Sequence, residues 1–408
     1  MLSEESLELI VQDHLAELEW QAGHGPDFAP GSGERDTWND IVLRGRLRNA
    51  VRNLNPDVPE EYLDQAIGEV ITPKSQSAIA ENRRIHQILV EGYRGIEYID
   101  HEGNFQNPTI NFLSSHPHKN DYLSLNQVTV ANLDGERRFD VVCYVNGMPL
   151  AFIELKKTGA NTSVEGAHNQ LQTYVKEFGM AFRFANIVIP SDDLSAKYGT
   201  PFTPWNHFAP WNVDEDGSPV DPNNMVVAGE PVTQLDLLLD GLFNVERFGQ
   251  LYSDFTAFDD TAEGLIMRIA KPHQYFAVTK AVGSTITAAR GDKRAGVIWH
   301  TTGAGKSMEM ELYTAKIMRR PEMLSPTVIV LNDRTELDEQ LFETFNRSTI
   351  LPETPRNIES RAELRELLSQ KTSGGIYFST LQKFGLNGKG ELREKEHPLL
   401  SEDRKSHV

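Results

Sequence analysis

The sequence predicts an α/β protein of two domains, with room for a third, and three observations carry that reading. Its 408 residues exceed what one hydrophobic core usually organises. Residues 122–155 are β-branched and alternating between segments of helical periodicity. After residue 264, helices and short apolar runs alternate in the order that builds a parallel, helix-covered sheet.

Ser3 is placed to cap a first helix with Glu4 and Glu5 in its opening turn, and Leu7, Ile10, Val11, Leu15 and Leu18 fall on one stripe. A Gly- and Pro-rich stretch from Gly23 to Gly33 breaks the pattern, and helices are expected over Glu60–Val70 and Ile79–Glu91. Strands are expected at Val128–Val130, Phe139–Val145 and Leu150–Leu155, then a helix over Val164–Phe178 and a strand over Asn186–Pro190. Residues 212–231, acidic and rich in Pro and Asn, read as a surface excursion, and the domain boundary is expected near Thr256–Glu263. Beyond it come a helix, a strand (Gly296–His300), a Gly-rich loop, a helix, a strand (Thr327–Leu331), a helix and a strand (Gly375–Ser379).

Composition narrows the class. No apolar run approaches the roughly 20 residues of a membrane span, and the N-terminus MLSEESLELI lacks the basic start and apolar core of a secretory signal. The single cysteine, Cys143, sits among valines as a buried thiol, so a cytoplasmic protein without a membrane partner is expected. Net charge is −19, which at first opposes a nucleic-acid partner. Two stretches hold nearly all of it: Met1–Asp40 carries −9 and Asn212–Gly264 carries −11. The remainder is almost neutral, so Arg83-Arg84, Arg137-Arg138, Lys156-Lys157 and Arg319-Arg320 remain available for a DNA path.

Asp140 lies on one expected strand, and fourteen positions later Glu154 and Lys156 stand two apart on the next, facing one side. Two carboxylates, a lysine and the Leu155 carbonyl suit Mg²⁺, a hard cation of oxygen ligands used in phosphodiester hydrolysis. Lys156 is placed to orient water and to offset phosphate charge. Gln170 and Tyr174, at i and i+4 on a helix, share a face and add donors. Register decides whether the carboxylates can meet. A strict two-residue turn at Asn146-Gly147 would pair Val145 with Met148 and set Asp140 against Ile153, pointing Asp140 and Glu154 to opposite faces. A three-residue loop or a bulge is therefore expected, pairing Val145 with Pro149, Tyr144 with Leu150, Val142 with Phe152 and Asp140 with Glu154.

The run Arg138-Phe139-Asp140-Val141-Val142, through Asn146-Gly147-Met148-Pro149, to Phe152-Ile153-Glu154-Leu155-Lys156-Lys157 resembles the nuclease of type I restriction enzyme R subunits, in the PD-(D/E)xK superfamily. Gln170 and Tyr174 match its QxxxY motif, while Phe139 stands where the superfamily's name has proline. Asn82-Arg83-Arg84 to Gly92, Asn126-Gln127-Val128-Thr129-Val130 and Ser191-Asp192 resemble the same family. The resemblance implies catalytic Asp140, Glu154, Lys156, Gln170 and Tyr174, a Mg²⁺ held by Asp140, Glu154 and Leu155, and a further glutamate from an early helix, for which Glu8 is a candidate.

His300-Thr301-Thr302-Gly303-Ala304-Gly305-Lys306-Ser307 has phosphate-loop spacing, with His300 in place of the first glycine. Backbone N–H groups of Thr302, Gly303, Ala304 and Gly305 would wrap ATP phosphates, Lys306 would reach the β and γ phosphates, and Ser307 would ligate a second Mg²⁺. The segment resembles superfamily 2 helicases. Gln274 stands where they place an adenine-reading glutamine, a surface amide being the competing reading, and Asp333-Arg334 to Leu341 and Ser379–Phe384 resemble their motifs Ia and Ib. No second acidic motif follows Phe384, and the charged tail 385–408 is poor in strands.

The expected architecture is thus a PD-(D/E)xK restriction-endonuclease-like domain (1–260) followed by an incomplete RecA-like P-loop domain (261–408). Nuclease before motor is the order of type I R subunits. The resemblance implies Mg²⁺-dependent cleavage of double-stranded DNA, coupled in the full protein to ATP-driven translocation, with modification (methyltransferase) and specificity subunits as partners. Two rivals are a catalytically inactive, nuclease-like docking module for DNA or subunits attached to a P-loop ATPase, and a stand-alone P-loop ATPase with an unrelated N-terminal domain. Neither needs all five nuclease-like residues.

Overall fold

The computed structural model describes residues 3–133, 135–157, 163–192, 194–224, 226–227, 230–332, 335–370 and 373–384. The chain divides into two compact units, one of residues 1–256 with 265–271, the other of residues 257–264 with 272–408.

In the first unit, Ser3 caps α1 (Glu4–Glu17) by accepting from the Ser6 N–H. Its buried face is Leu7, Glu8, Val11, Gln12 and Leu15, whereas Ile10 is exposed and Leu18 ends the helix half-buried. The expected stripe is therefore rotated, placing two polar side chains inward. Next come β1 (Gln21–His24), α2 (Arg44–Leu54), α3 (Glu60–Ile71) and α4 (Ala78–Glu91). The two-residue strands β2 (Tyr98–Ile99) and β3 (Phe105–Gln106) precede the long β4 (Tyr122–Asn132), β5 (Gly135–Val145) and β6 (Met148–Leu155). Then follow α5 (Val164–Glu177), β7 (Ile187–Ser191), the short β8 (Val226–Val227) and β9 (Glu230–Pro231), α6 (Gln234–Phe243) and α7 (Val245–Asp254). The strands β10 (Thr256–Thr261) and β11 (Gly264–Ile269) lie where the chain divides.

One mixed sheet, in the order β1-β4-β5-β6-β7, organises this unit, with β4, β5 and β6 antiparallel and β1 and β7 added in parallel at the edges. Leu125, Val128, Phe139, Val142, Tyr144 and Phe152 pack against Leu171 and Tyr174 of α5 and Phe178 just after it. Cys143 is a free, fully buried thiol.

The β5/β6 hairpin turns at Asn146-Gly147, both at positive φ (51° and 76°), as a two-residue turn requires. Val145 pairs with Met148 and Tyr144 with Pro149, so the expected pairings Val145 with Pro149 and Tyr144 with Leu150 are corrected. A bulge between Cys143 and Tyr144 absorbs the extra residue, after which Cys143 pairs with Ala151, Val142 with Phe152 and Val141 with Ile153. Pro149 has no N–H to donate, which makes this end of β6, not yet flanked by β7, the place where the ladder tolerates disruption. One further step in that register sets Asp140 opposite Glu154.

In the second unit α8 (Pro272–Arg290), α9 (Lys306–Met318), β12 (Val328–Asn332), α10 (Thr335–Arg347), β13 (Arg356–Asn357), α11 (Arg361–Gln370) and β14 (Ile376–Thr380) follow in turn. The strands form a parallel sheet, β12-β14-β13. Val330, Ile376 and Phe378 pack against Leu341 and Phe345 of α10, while Tyr377 packs with Leu364 and Leu368 of α11, so alternate residues of β14 bury against opposite helical layers. Residues 294–300 form no strand, contrary to expectation, and Val297 and Trp299 are 90% and 89% exposed. A strand needs a neighbour for its N–H and C=O groups, and none of the described strands lies beside this segment. Asp333-Arg334 and the tail 385–408 lie outside the described residues.

Candidate functional site

The first site lies midway along β5 and at the end of β6. Asp140 interrupts the alternation of β5: Phe139 and Val142, three apart, enter the same core cluster, as do Leu125 and Val128 flanking Gln127 on β4. Gln127 has φ 54°, so both strands change face there without changing register. The Asp140 carboxylate accepts from the Leu155 N–H at 2.8 Å, which fixes it beside the Glu154–Leu155 peptide. Glu154 is 1% exposed, and Lys156, just past the last residue of β6, places its Nζ 2.8 Å from Glu154 Oε1. The parallel pairing of β6 with β7 continues to Leu155 and Ser191, and the Lys156 N–H donates to the Ser191 carbonyl at 2.9 Å.

α1 brings a third carboxylate. Glu8 is buried, accepts from Asn126 Nδ2 at 3.3 Å and feels the charge of Asp140. Gln12, one turn on, holds the helix to the sheet by donating to the Gly23 and Ser124 carbonyls at 2.8 and 3.0 Å. On α5, Gln170 Nε2 donates to the Tyr174 hydroxyl, and the Tyr174 ring stands edge-on to Phe139 at 5.5 Å. Tyr174 also feels the Glu154 charge, which with burial raises its phenol above the ordinary range.

These carboxylates hold their protons tightly. Burial, then the Asp140 charge, pushes Glu154 up to about 8 against the pull of Lys156. Burial raises Asp140, offset in part by the Leu155 N–H and Lys156, and burial followed by Asp140 raises Glu8. Lys156 is drawn down by burial but raised on balance by Glu154. Acids raised by burial beside one lysine are oxygen donors of the type a hard divalent cation takes, so their chemistry suits Mg²⁺. Asn126 and Gln127 were legible in the sequence only as part of a family-like run; their contacts to Glu8 give them a place.

The second site is the loop before α9. Gly303 and Gly305 have φ 83° and 85°, and Gly305 caps the helix, so its first N–H groups open onto the loop. Thr302, Lys306 and Ser307 are exposed, and Lys306 Nζ lies 3.0 Å from the carbonyls of His300 and Thr301. Gln274 is buried rather than a surface amide, its Nε2 3.3 Å from the Ala304 and Gly305 carbonyls. The donor set and the open helix N-terminus fit a nucleotide phosphate. Ser379 and Thr380 end β14, followed by a short 3-10 turn at Leu381–Phe384.

A family model described as the type I restriction enzyme R protein N terminus matches residues 1–207, just over half of the chain. The chain belongs to this family. A second model, the SWI2/SNF2 ATPase, matches residues 273–408. The chain is 33% identical over 411 residues to the type I restriction enzyme HindI endonuclease subunit of Haemophilus influenzae, covering 98% of this chain and 38% of that one. It is 32% identical over 405 residues to the putative MjaIXP endonuclease subunit of Methanocaldococcus jannaschii, covering 95% and 37%. The SauCOLORF180P endonuclease subunit of Staphylococcus aureus is 26% identical over 233 residues, covering 56% and 22%. The chain therefore spans well under half the length of these relatives. It is an R-protein N-terminal domain followed by the start of a superfamily 2 ATPase domain. Among the described residues no helix is long and apolar enough to cross a membrane.

Proposed function

We propose that the chain is the nuclease and nucleotide-binding part of the restriction subunit of a type I enzyme. Residues 1–260 carry Mg²⁺-dependent endonucleolytic cleavage of double-stranded DNA, and residues 261–408 begin the ATP-driven motor that, in the full protein, moves DNA to the nuclease. The observation that carries this reading is the gathering of half-buried Asp140, midway along β5, with the buried Glu154 and Glu8 and with Lys156 at the end of β6, coupled in charge.

Asp140, Glu154 and the Leu155 carbonyl would hold Mg²⁺, which would polarise the scissile phosphate and favour hydroxide over water. Lys156, kept protonated by Glu154, sits where an ammonium orients the attacking water and offsets negative charge on the phosphate. Gln170 and Tyr174 contribute an amide and a hydroxyl on the α5 side. In the second unit Thr302, Gly303, Ala304 and Gly305 would offer backbone N–H groups to ATP phosphates, Lys306 would offset their charge, Ser307 would ligate a second Mg²⁺, and Gln274 would serve the adenine. Modification and specificity subunits complete the complex, which works in the cytoplasm. A docking module would gain nothing from gathering acids whose charged form is costly there without a cation.

The test is plasmid cleavage by the full-length subunit reconstituted with its partner subunits, ATP and Mg²⁺. Asp140→Ala should abolish strand cleavage while DNA-stimulated ATP hydrolysis persists, and Lys306→Ala should abolish both ATP turnover and cleavage. Wild-type cleavage by Asp140→Ala would refute the nuclease assignment.

A further inference from the structure

The strict phosphate-loop pattern has glycine where this chain has His300, and the structure gives that imidazole work a glycine cannot do. His300 Nδ1 lies 2.7 Å from Glu309 Oε1, on the first turn of α9, and Glu309 is only 3% exposed. The loop leaves His300 and returns to α9 five residues later, so this contact ties its entrance to the helix it precedes. Its exit is tied from α8: His273 Nε2 is 2.8 Å from the Ala304 carbonyl, beside the Gln274 amide. The two ties meet, because His273 Nε2 is also 3.9 Å from Glu309 Oε1 and the imidazole rings stand edge to face at 5.2 Å.

A carbonyl and a carboxylate only accept, so the tautomers follow: His273 carries its proton on Nε2 and His300 on Nδ1. The same three residues also have a rival reading. Atoms of His273, His300 and Glu309 lie within 4.8 Å of one another and are of metal-ligating type. A metal would need lone pairs at nitrogens that already donate, and would have to break both ties.

Building on the ATP-binding reading above, we propose that His273, His300 and Glu309 form a clasp that pre-sets the phosphate-binding loop, making His300 a positioning residue for nucleotide. Two glycines at positive φ make the loop 301–305 costly to order, and a loop ordered beforehand does not charge that cost to the ligand.

The test uses the 408-residue chain with a fluorescent ATP analogue and Mg²⁺, beside amide hydrogen exchange over 301–305 without nucleotide. His300→Ala should weaken binding about tenfold, the worth of one charge-assisted hydrogen bond, and speed loop exchange with the unliganded melting temperature little changed. His300→Asn, whose amide reaches much the same point as Nδ1, should bind within about threefold of wild type. If His300→Ala is too unstable to assay, His300→Asn against His300→Gln, whose longer amide misses Glu309, makes the same comparison. Wild-type affinity and loop exchange in His300→Ala would overturn the clasp while leaving the P-loop reading intact, provided that Lys306→Ala still abolishes binding. Absence of nucleotide binding by the wild-type chain would remove both. Stoichiometric Zn²⁺ binding lost in His273→Ala would replace the clasp by a metal site.

Discussion

The raised carboxyl of Glu154 ties cation binding to pH in a way that can be worked out in advance. A group at about 8 is protonated in roughly ten of eleven molecules at pH 7. A divalent cation takes the carboxylate, so binding must release that proton. Apparent affinity should then rise roughly tenfold per pH unit from pH 6 to about 8 and level off above. The same sign governs stability: a raised acid contributes stability below its ordinary pKa of 4.5, lost as pH rises through about 8, and bound cation should restore it at the alkaline end. Asp140→Asn keeps an acceptor for the Leu155 N–H but deletes the second cause of the shift, after burial. Its bend should move to lower pH, and its affinity above the bend should fall because one anionic donor is gone. Mn²⁺ titrations followed by electron paramagnetic resonance at pH 6, 7, 8 and 9, without nucleotide, read both quantities. Affinity independent of pH between 6 and 8, or an unmoved bend in Asp140→Asn, would show that Glu154 is not the group that cation and proton contest.

Two further outcomes follow from the first unit alone. His14 on α1 sits 2.7 Å from Asp240 and 3.7 Å from Asp236 of α6; burial lowers its pKa but the two carboxylates raise it to about 9. Its contribution is complete below 6.5 and lost as pH rises through about 9, so urea midpoints should show a loss of about 2 kcal/mol that His14→Gln lacks, the half-exposed Asp240 keeping the figure modest; an identical loss in the variant would refute the pairing. Gly147→Ala should cost roughly 3 kcal/mol, because a Cβ there meets the Leu43 carbonyl at 2.4 Å and the Leu47 N at 2.7 Å in addition to the strain of positive φ. Gly103→Ala, equally left-handed but with nothing near, should cost only about 1 kcal/mol, and equal costs would mean that the close approach does not matter.

What the sequence disclosed depended on how local the cause was. The long strands and the α5 helix announce themselves through their own periodicity, and the demand for a bulge followed from requiring Asp140 and Glu154 to share a face. Its position did not, because the turn residues satisfy a two-residue geometry by themselves and the misfit passes along the strand to Cys143 and Tyr144. α1 shows the opposite failure. Hydropathy turns Ile10 inward, yet the helix packs where Asn126 and the carbonyls of Gly23 and Ser124 present polar atoms, so Glu8 and Gln12 are buried instead. β1 was hidden because four residues in a Gly-rich stretch become a strand only by pairing with β4, a hundred residues on. α2 was hidden by its arginines, which pair outward with Asp36, Asp40, Asp121, Asp64 and Glu60 while Leu47, Ala50 and Val51 face in.

The missing strand at 296–300 sharpens the same distinction. A phosphate loop is commonly understood as the turn between a strand and a helix, with the strand as its foundation. Here the loop keeps left-handed glycines and an open helix N-terminus although the segment before it forms no ladder. Its shape must therefore be held by something else, and the contacts that hold it come from helices: His273 and Gln274 of α8 on its last carbonyls, and Glu309 of α9 on the imidazole at its start. If the strand alone organised the loop, an unpaired 294–300 would leave these groups without a common geometry to meet in. That they meet argues that loop order and strand order are separable in this unit.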